Sequence, residues 1–158
     1  MRRLAAASSG LAVMQSDCQR FKFFAGSARV IDLEGFSDRQ IAHQPAFGPV
    51  VWGRYTHELA LSVGAPIWIW GFGWWSPKPM SAVPLSQIVS SNELMHQYTG
   101  SFRSPPRKDI ADRVVRAYTT ASVGACGMHF NFLVRQESAA ALRRAGIAVH
   151  GLLKADQS

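Results

Sequence analysis

Residues 59–75 read Leu-Ala-Leu-Ser-Val-Gly-Ala-Pro-Ile-Trp-Ile-Trp-Gly-Phe-Gly-Trp-Trp, seventeen positions without a charge. Four of the chain's five tryptophans fall in the last eight of them. Two structures suit such a run. As a helix it extends roughly 25 Å at 1.5 Å per residue, short of a hydrocarbon core about 30 Å thick. Starting at Tyr55 brings His57 and Glu58 to one interface and makes the length adequate. Trp68, Trp70, Trp74 and Trp75 then cluster at the other end, where an aromatic belt belongs. Pro66 is tolerated in a span whose neighbours satisfy the freed carbonyl. Gly64, Gly71 and Gly73 admit a second helix closely. The competing structure is a buried core segment, with Ile67-Trp68-Ile69-Trp70 as a strand. The expectation is a transmembrane helix over 55–75, closed by Ser76-Pro77-Lys78-Pro79.

Outward from this run, residues 1–16 are rich in Arg, Ala and Ser, with no acid before Asp17. That composition suits a mitochondrial targeting segment, here a basic N-terminal arm. Residues 17–54 carry Pro45, Gly48, Pro49 and Gly53 and read as an irregular flank. Residues 76–107 form a proline-containing connector, with helical spacing between Leu85 and Tyr98. Residues 108–158 are the most helical part, and Gln136 to Leu153 continues as a helix that Ser138 can cap. Ala117 to Val134 is a further uncharged stretch of eighteen residues and a second candidate span, 117–134. Its Ser122-Val-Gly-Ala-Cys-Gly-Met centre suits tight helix packing, while Thr119, Thr120, His129 and Asn131 count against lipid. The expected fold class is mainly α: one short transmembrane helix, a second candidate, loop-rich flanks, a C-terminal helix and no independent globular domain.

The whole chain of 158 residues has a net charge of +7, and only 17% of its residues are charged. The basic residues are scattered as Arg2-Arg3, Arg107-Lys108 and Arg143-Arg144, unlike the clustered stripe of a nucleic-acid binder. Cys18 and Cys126 have no CxxC spacing, and Cys126-Gly-Met-His129 lacks the further ligands a zinc site needs. No phosphate-binding glycine loop or nucleophile elbow is present. Asp109 and Asp112, flanked by Arg107, Lys108, Arg113 and Arg116, read as paired charges on a helix. These readings point to no enzyme, no metal and no cofactor.

The Arg/Ala/Ser start, the Ile67-Trp68-Ile69-Trp70 and Trp74-Trp75 run, the basic balance and the motif-poor flanks together resemble a small accessory subunit of a mitochondrial respiratory-chain complex. The run itself is similar to the tryptophan-rich single spans of complex I accessory subunits. The resemblance implies a non-catalytic inner-membrane subunit supporting assembly and stability. Its partners would be other subunits of a large membrane complex and anionic lipids such as cardiolipin, with no nucleic acid. Arg54, Trp68, Trp70, Trp74, Trp75, Lys78, Arg107 and Lys108 are the candidate lipid and interface residues. Each cation near an anionic surface is worth about 1 kcal/mol. ATP synthase and cytochrome oxidase carry subunits of the same style. A mitochondrial ribosomal protein binding rRNA is the alternative from another class.

Overall fold

The run from Leu59 to Trp75 breaks at Gly64. In a computed structural model, which describes residues 12–15, 29–32, 52–70, 75–99 and 106–151, helix α1 (Trp52–Val63) stops just before that glycine. Gly64 takes φ +62°, and its N–H donates to the Ala60 carbonyl at 2.9 Å. This is the left-handed conformation with which glycine ends helices. Ala65 is biased to extended backbone by the proline after it. Strand β3 (Ile67–Ile69) follows, as its β-branched and aromatic alternation favours.

The expected mainly α fold with a span over 55–75 is therefore wrong. The chain is a mixed α/β fold around a seven-stranded sheet. Helix α1 has 12 residues, about 18 Å of length. No described helix is long and apolar enough to cross a membrane. The run lacks charge because β3 is covered on both sides, as strands with two packed faces are. Ile67 and Ile69 face one core, and Trp68 and Trp70 face the other.

The second candidate span, 117–134, is a hairpin. Strand β5 (Tyr118–Ala125) pairs antiparallel with β6 (Met128–Arg135) over eight residue pairs. The turn is Cys126-Gly127, with φ of 52° and 72°. Two successive residues at positive φ give a two-residue turn whose twist matches that of the strands.

Strand β1 (Ala12–Gln15) lies inside the sheet, parallel to β2 (Arg29–Asp32) on one side and to β3 on the other. Val13 and Met14 are 1% and 0% exposed. The segment expected as a targeting-like arm over 1–16 thus contains a central strand, and the irregular flank 17–54 contains β2 and the start of α1. The path through the sheet is β2-β1-β3-β6-β5-β7, where β7 is Ala148–Val149. Strand β4 (Trp75–Ser76) pairs with β6 beyond β3, at Phe130 and His129. Six residues separate Trp68 from Trp75, but only two separate their partners Leu133 and Phe130. Strands β3 and β4 thus pair with successive parts of β6.

Within 76–107 the expected connector holds a 3₁₀ turn (Met80–Ala82) and two helices, α2 (Leu85–Ser90) and α3 (Asn92–Thr99). The helix anticipated between Leu85 and Tyr98 is split at Ser91, whose ψ of 120° is extended. Helix α4 (Lys108–Ala117) buries Ile110 and Val114 and packs on α1 and α2. Helix α5 (Gln136–Arg144) has Arg135 in its N-cap position without a side-chain capping bond, carries Ser138 inside its first turns, and ends before Gly146 at φ +80°.

Two cores flank the sheet. One joins Met14, Trp68, Trp70, Tyr118 and Leu133 to α2, α3 and α4. The other joins Val13, Ile67, Phe130, Phe132 and Val134 to Ala139 and Leu142 of α5. Burying a residue of this size contributes about 1.5–3 kcal/mol. A core on each face makes this part of the chain a globular domain, contrary to the expectation of none.

Candidate interaction groove between α2 and α4

Thr119, Thr120, Ser122 and Asn131, buried polar side chains of the hairpin, tie other segments to the sheet. Ser122 Oγ donates to Asn131 Oδ1 at 2.8 Å across the hairpin. The same two oxygens accept the N–H groups of Ser81 and Met80, both at 2.9 Å. Asn131 Nδ2 donates to the Lys78 carbonyl at 3.2 Å. Thr120 Oγ1 donates to the Val83 carbonyl at 2.9 Å. His150 Nδ1 lies 3.0 Å from the Ser81 carbonyl, which can only accept, so Nδ1 carries a proton. Thr120 and Asn131 are therefore clamps on the 78–83 segment, and Asn131 is 1% exposed. Polar groups of this kind are held in the interior only when so satisfied.

A second tie sits at the end of α1. Tyr118 donates its hydroxyl hydrogen to the Ala65 carbonyl at 3.0 Å. Arg135 Nη1 donates to the Gly64 carbonyl at 2.8 Å, with its guanidinium 5.9 Å from the Tyr118 ring centroid. Burial pushes the Tyr118 hydroxyl up to about 12; the Arg135 charge opposes this and Glu137 adds to it.

The residues expected at a lipid interface are not brought together as one. Trp68 and Trp70 are 0% and 2% exposed. They pack edge-on to His57, at centroid distances of 5.7 and 5.4 Å, and Trp68 meets Tyr118 at 5.6 Å. A belt tryptophan gives its N–H to water, whereas Trp68 Nε1 is buried with no hydrogen-bond acceptor among the described residues. Trp75 is exposed, its ring 6.2 Å from that of Phe130. Trp74 lies outside the described residues. Arg54 lies in α1, and its side chain is outside them too. Lys78 is exposed beside β4, and its N–H donates to Ser76 Oγ at 3.1 Å.

Arg107 and Lys108 stand at the start of α4, where they part company. The Arg107 guanidinium lies 2.9 Å from Asp109 and 3.8 Å from Glu58 of α1. Lys108 instead lines a groove of about 560 Å³. One wall is α2, with Ser86, Val89 and Ser90. The other is α4, with Ala111 and Val115 on the floor and Lys108, Asp112 and Arg116 on the rim. This volume is within the range of binding clefts, about 300–1,000 Å³.

The local sequence explains this shape. On α4, Ile110 and Val114 point into the core. Ala111 belongs to the same core, and Val115 packs partly exposed against it on the side that faces α2. Lys108, Asp112 and Arg116 follow at intervals of four and form a row about 12 Å long. All three are exposed, and none makes an ion pair among the described residues. Asp109 is paired as the charge pattern suggests, but Asp112 is not. The i, i+4, i+8 spacing is visible in the sequence; the opposing wall of Ser86 and Val89 is not. No group of three or more His, Cys, Asp or Glu residues that could hold a metal occurs among the described residues. Cys126 is exposed at the hairpin tip.

Set against protein-family models, curated proteins and solved structures, the chain matches none.

Proposed function

We propose that this chain is a non-catalytic accessory subunit of a larger assembly, held there by protein contacts made through the α2–α4 groove. The observation that carries the reading is that groove, with three charges in a row along one rim that form no ion pair among the described residues. Clefts of this volume are where proteins hold ligands and partner segments. The targeting-like composition of 1–16 and the surplus of +7 favour a mitochondrial energy-transducing complex, with complex I first. With no described helix able to span a membrane, such a subunit would sit peripherally.

The test is alkaline carbonate extraction of mitochondrial membranes, with native electrophoresis and mass spectrometry before and after the wash. The protein is expected to migrate with one complex before the wash and to be released by it. Migration alone would sink the reading.

One observation favours a second reading. Arg113, Arg143 and Arg144 are exposed and form no ion pair among the described residues, leaving positive charge free for an anion. On that reading the chain is a mitochondrial ribosomal protein, and it would sediment with ribosomal subunits in a steeply salt-dependent way.

A further inference from the structure

We infer that the carboxyl ends of β1 and β2, together with Trp75 of β4, form a binding site for a ribonucleoside. This goes beyond the accessory-subunit reading and does not depend on the α2–α4 groove.

The sheet reverses its direction of growth at β1. The chain makes β1, places β2 on one side of it and β3 on the other, and all three run parallel. Their last residues are level, with Gln15 paired to Asp32 on one side and to Ile69 on the other. From this row the chain leaves β1 for β2, whereas it leaves β3 for β4, which pairs with β6. The two connections therefore part between β1 and β3. In an open α/β sheet this is where a crevice forms at the carboxyl ends of the strands, and where ligands are held.

The chemistry of one face changes at the same place. Val13 and Ile67 belong to the core that α5 covers, and Val30 packs against it. Two residues on, strand alternation returns to that face. The row Val30, Val13, Ile67 is thus followed by Asp32, Gln15, Ile69. Strands covered on both sides are expected to stay apolar, yet here an acid and an amide take adjacent register positions at the crevice.

An aromatic group stands beyond them. Trp68 is paired with Met14 and lies opposite Leu133, and Trp75 lies opposite Phe130, three positions further along β6. Trp75 is therefore two residue steps past Gln15, about 7 Å, and one strand spacing of about 5 Å to the side. Its partner Phe130 belongs to the same core as Val13, and directly opposed residues share a face. Trp75 is 45% exposed, the only large hydrophobic side chain so exposed among the described residues.

A carboxylate beside a carboxamide is the pair that recognises the two hydroxyls of a vicinal diol, and an indole stacks on a base. The separation of these positions suits a ribose joined to a base better than a single sugar ring. No glycine-rich phosphate loop follows β1, so base and ribose carry the recognition, not phosphate.

The test is isothermal titration of the full-length chain with adenosine, 2′-deoxyadenosine and methyl glucoside. Adenosine is expected to saturate the chain. The deoxy analogue should bind at least about tenfold more weakly, because a site that hydrogen-bonds a hydroxyl rejects the analogue lacking it. Asp32→Asn and Trp75→Ala should each weaken adenosine by about tenfold, and Trp75→Phe should restore most of the loss, since any flat ring stacks on a base. Amide exchange should slow at residues 12–15 and 29–32 when adenosine is added.

Absence of saturable adenosine binding overturns the inference, as does equal binding of the deoxy analogue. Both are read on the native chain, so they hold even if a variant fails its circular-dichroism melt. Folded Asp32→Asn and Trp75→Ala chains that bind adenosine as the native chain does would remove the site from this row. Methyl glucoside binding as tightly as adenosine replaces the nucleoside with a sugar.

Discussion

Arg135 Nη1 donates to the Gly64 carbonyl at 2.8 Å and fills the place where a side chain on residue 64 would begin. One contact joins the end of β6 to the end of α1, across 71 positions of sequence. It also makes residue 64 doubly intolerant of a side chain, through its φ of +62° and through the guanidinium. Gly64→Ala should cost about 2–3 kcal/mol, of which the positive φ alone accounts for about 1–2. In an Arg135→Ala background the same substitution should cost less. Urea unfolding of the four proteins in this cycle measures the coupling, and strict additivity would remove the steric part of the account.

Tyr118 makes stability depend on alkaline pH. Its folded-state value near 12 lies above the ordinary 10.0. Below pH 10 both states keep the proton, and the full stabilisation is present. Between pH 10 and 12 the unfolded chain ionises while the folded one resists, so stability falls by up to about 2–3 kcal/mol. Tyr118→Phe also loses the bond to the Ala65 carbonyl, worth about 1 kcal/mol. The stability difference between native and variant chains should be constant below pH 10, shrink above it and reverse in sign as pH approaches 12. A difference unchanged up to pH 12 would count against a buried, protonated Tyr118.

Asn131 serves three partners from one side chain, the N–H of Met80, the carbonyl of Lys78 and the hydroxyl of Ser122. Asn131→Ala strands them and should cost about 2–4 kcal/mol, since each unsatisfied buried group is expensive. Amide exchange at Met80 should accelerate well before global unfolding. Unchanged protection there would mean that the 78–83 segment is held by something else.

Met14 sits in the sheet's interior, opposite Ile31 of β2 and Trp68 of β3. Met14→Ala should cost about 2–5 kcal/mol, a core value rather than that of a removable leader. If a targeting peptide is cleaved, the cut that leaves a foldable domain falls before Ala12. Mass spectrometry of the N-terminus of the mature protein checks this, and a mature chain starting after Gln15 would contradict a β1 of the same molecule.

Trp68 distinguishes core from lipid belt. Trp68→Ala should cost about 3–5 kcal/mol in plain buffer, without lipid or detergent. A belt residue would show almost no loss there, and thermal unfolding in vesicle-free solution decides between them.

Much of this fold could be read locally, but the decisive part could not. Gly64 and Pro66 announce a break, and Ile67-Trp68-Ile69-Trp70 has the period of a strand. The absence of charge outweighed them, because an uncharged run is expected both in lipid and in a strand covered on two faces. What separates the two is α4 on one side and α5 on the other, and neither is visible from the run itself. The 117–134 stretch misled in the same way. Thr119, Thr120 and Asn131 argued against lipid correctly, and their roles became clear only once the 78–83 segment lay against them. For the groove, the Lys108, Asp112 and Arg116 row was legible as charges on a helix. Its opposing wall was not, since Val89 belongs to a helix nearly twenty residues earlier.

The sheet's interior is assembled from distant parts of the chain. Val13 waits for Ile67, and Ile67 waits for Val134. In chain order β1 is made long before β6, the strand that completes its neighbourhood. Until then the core that joins Val13 and Ile67 lacks Phe130, Phe132 and Val134, the side chains that form one of its walls.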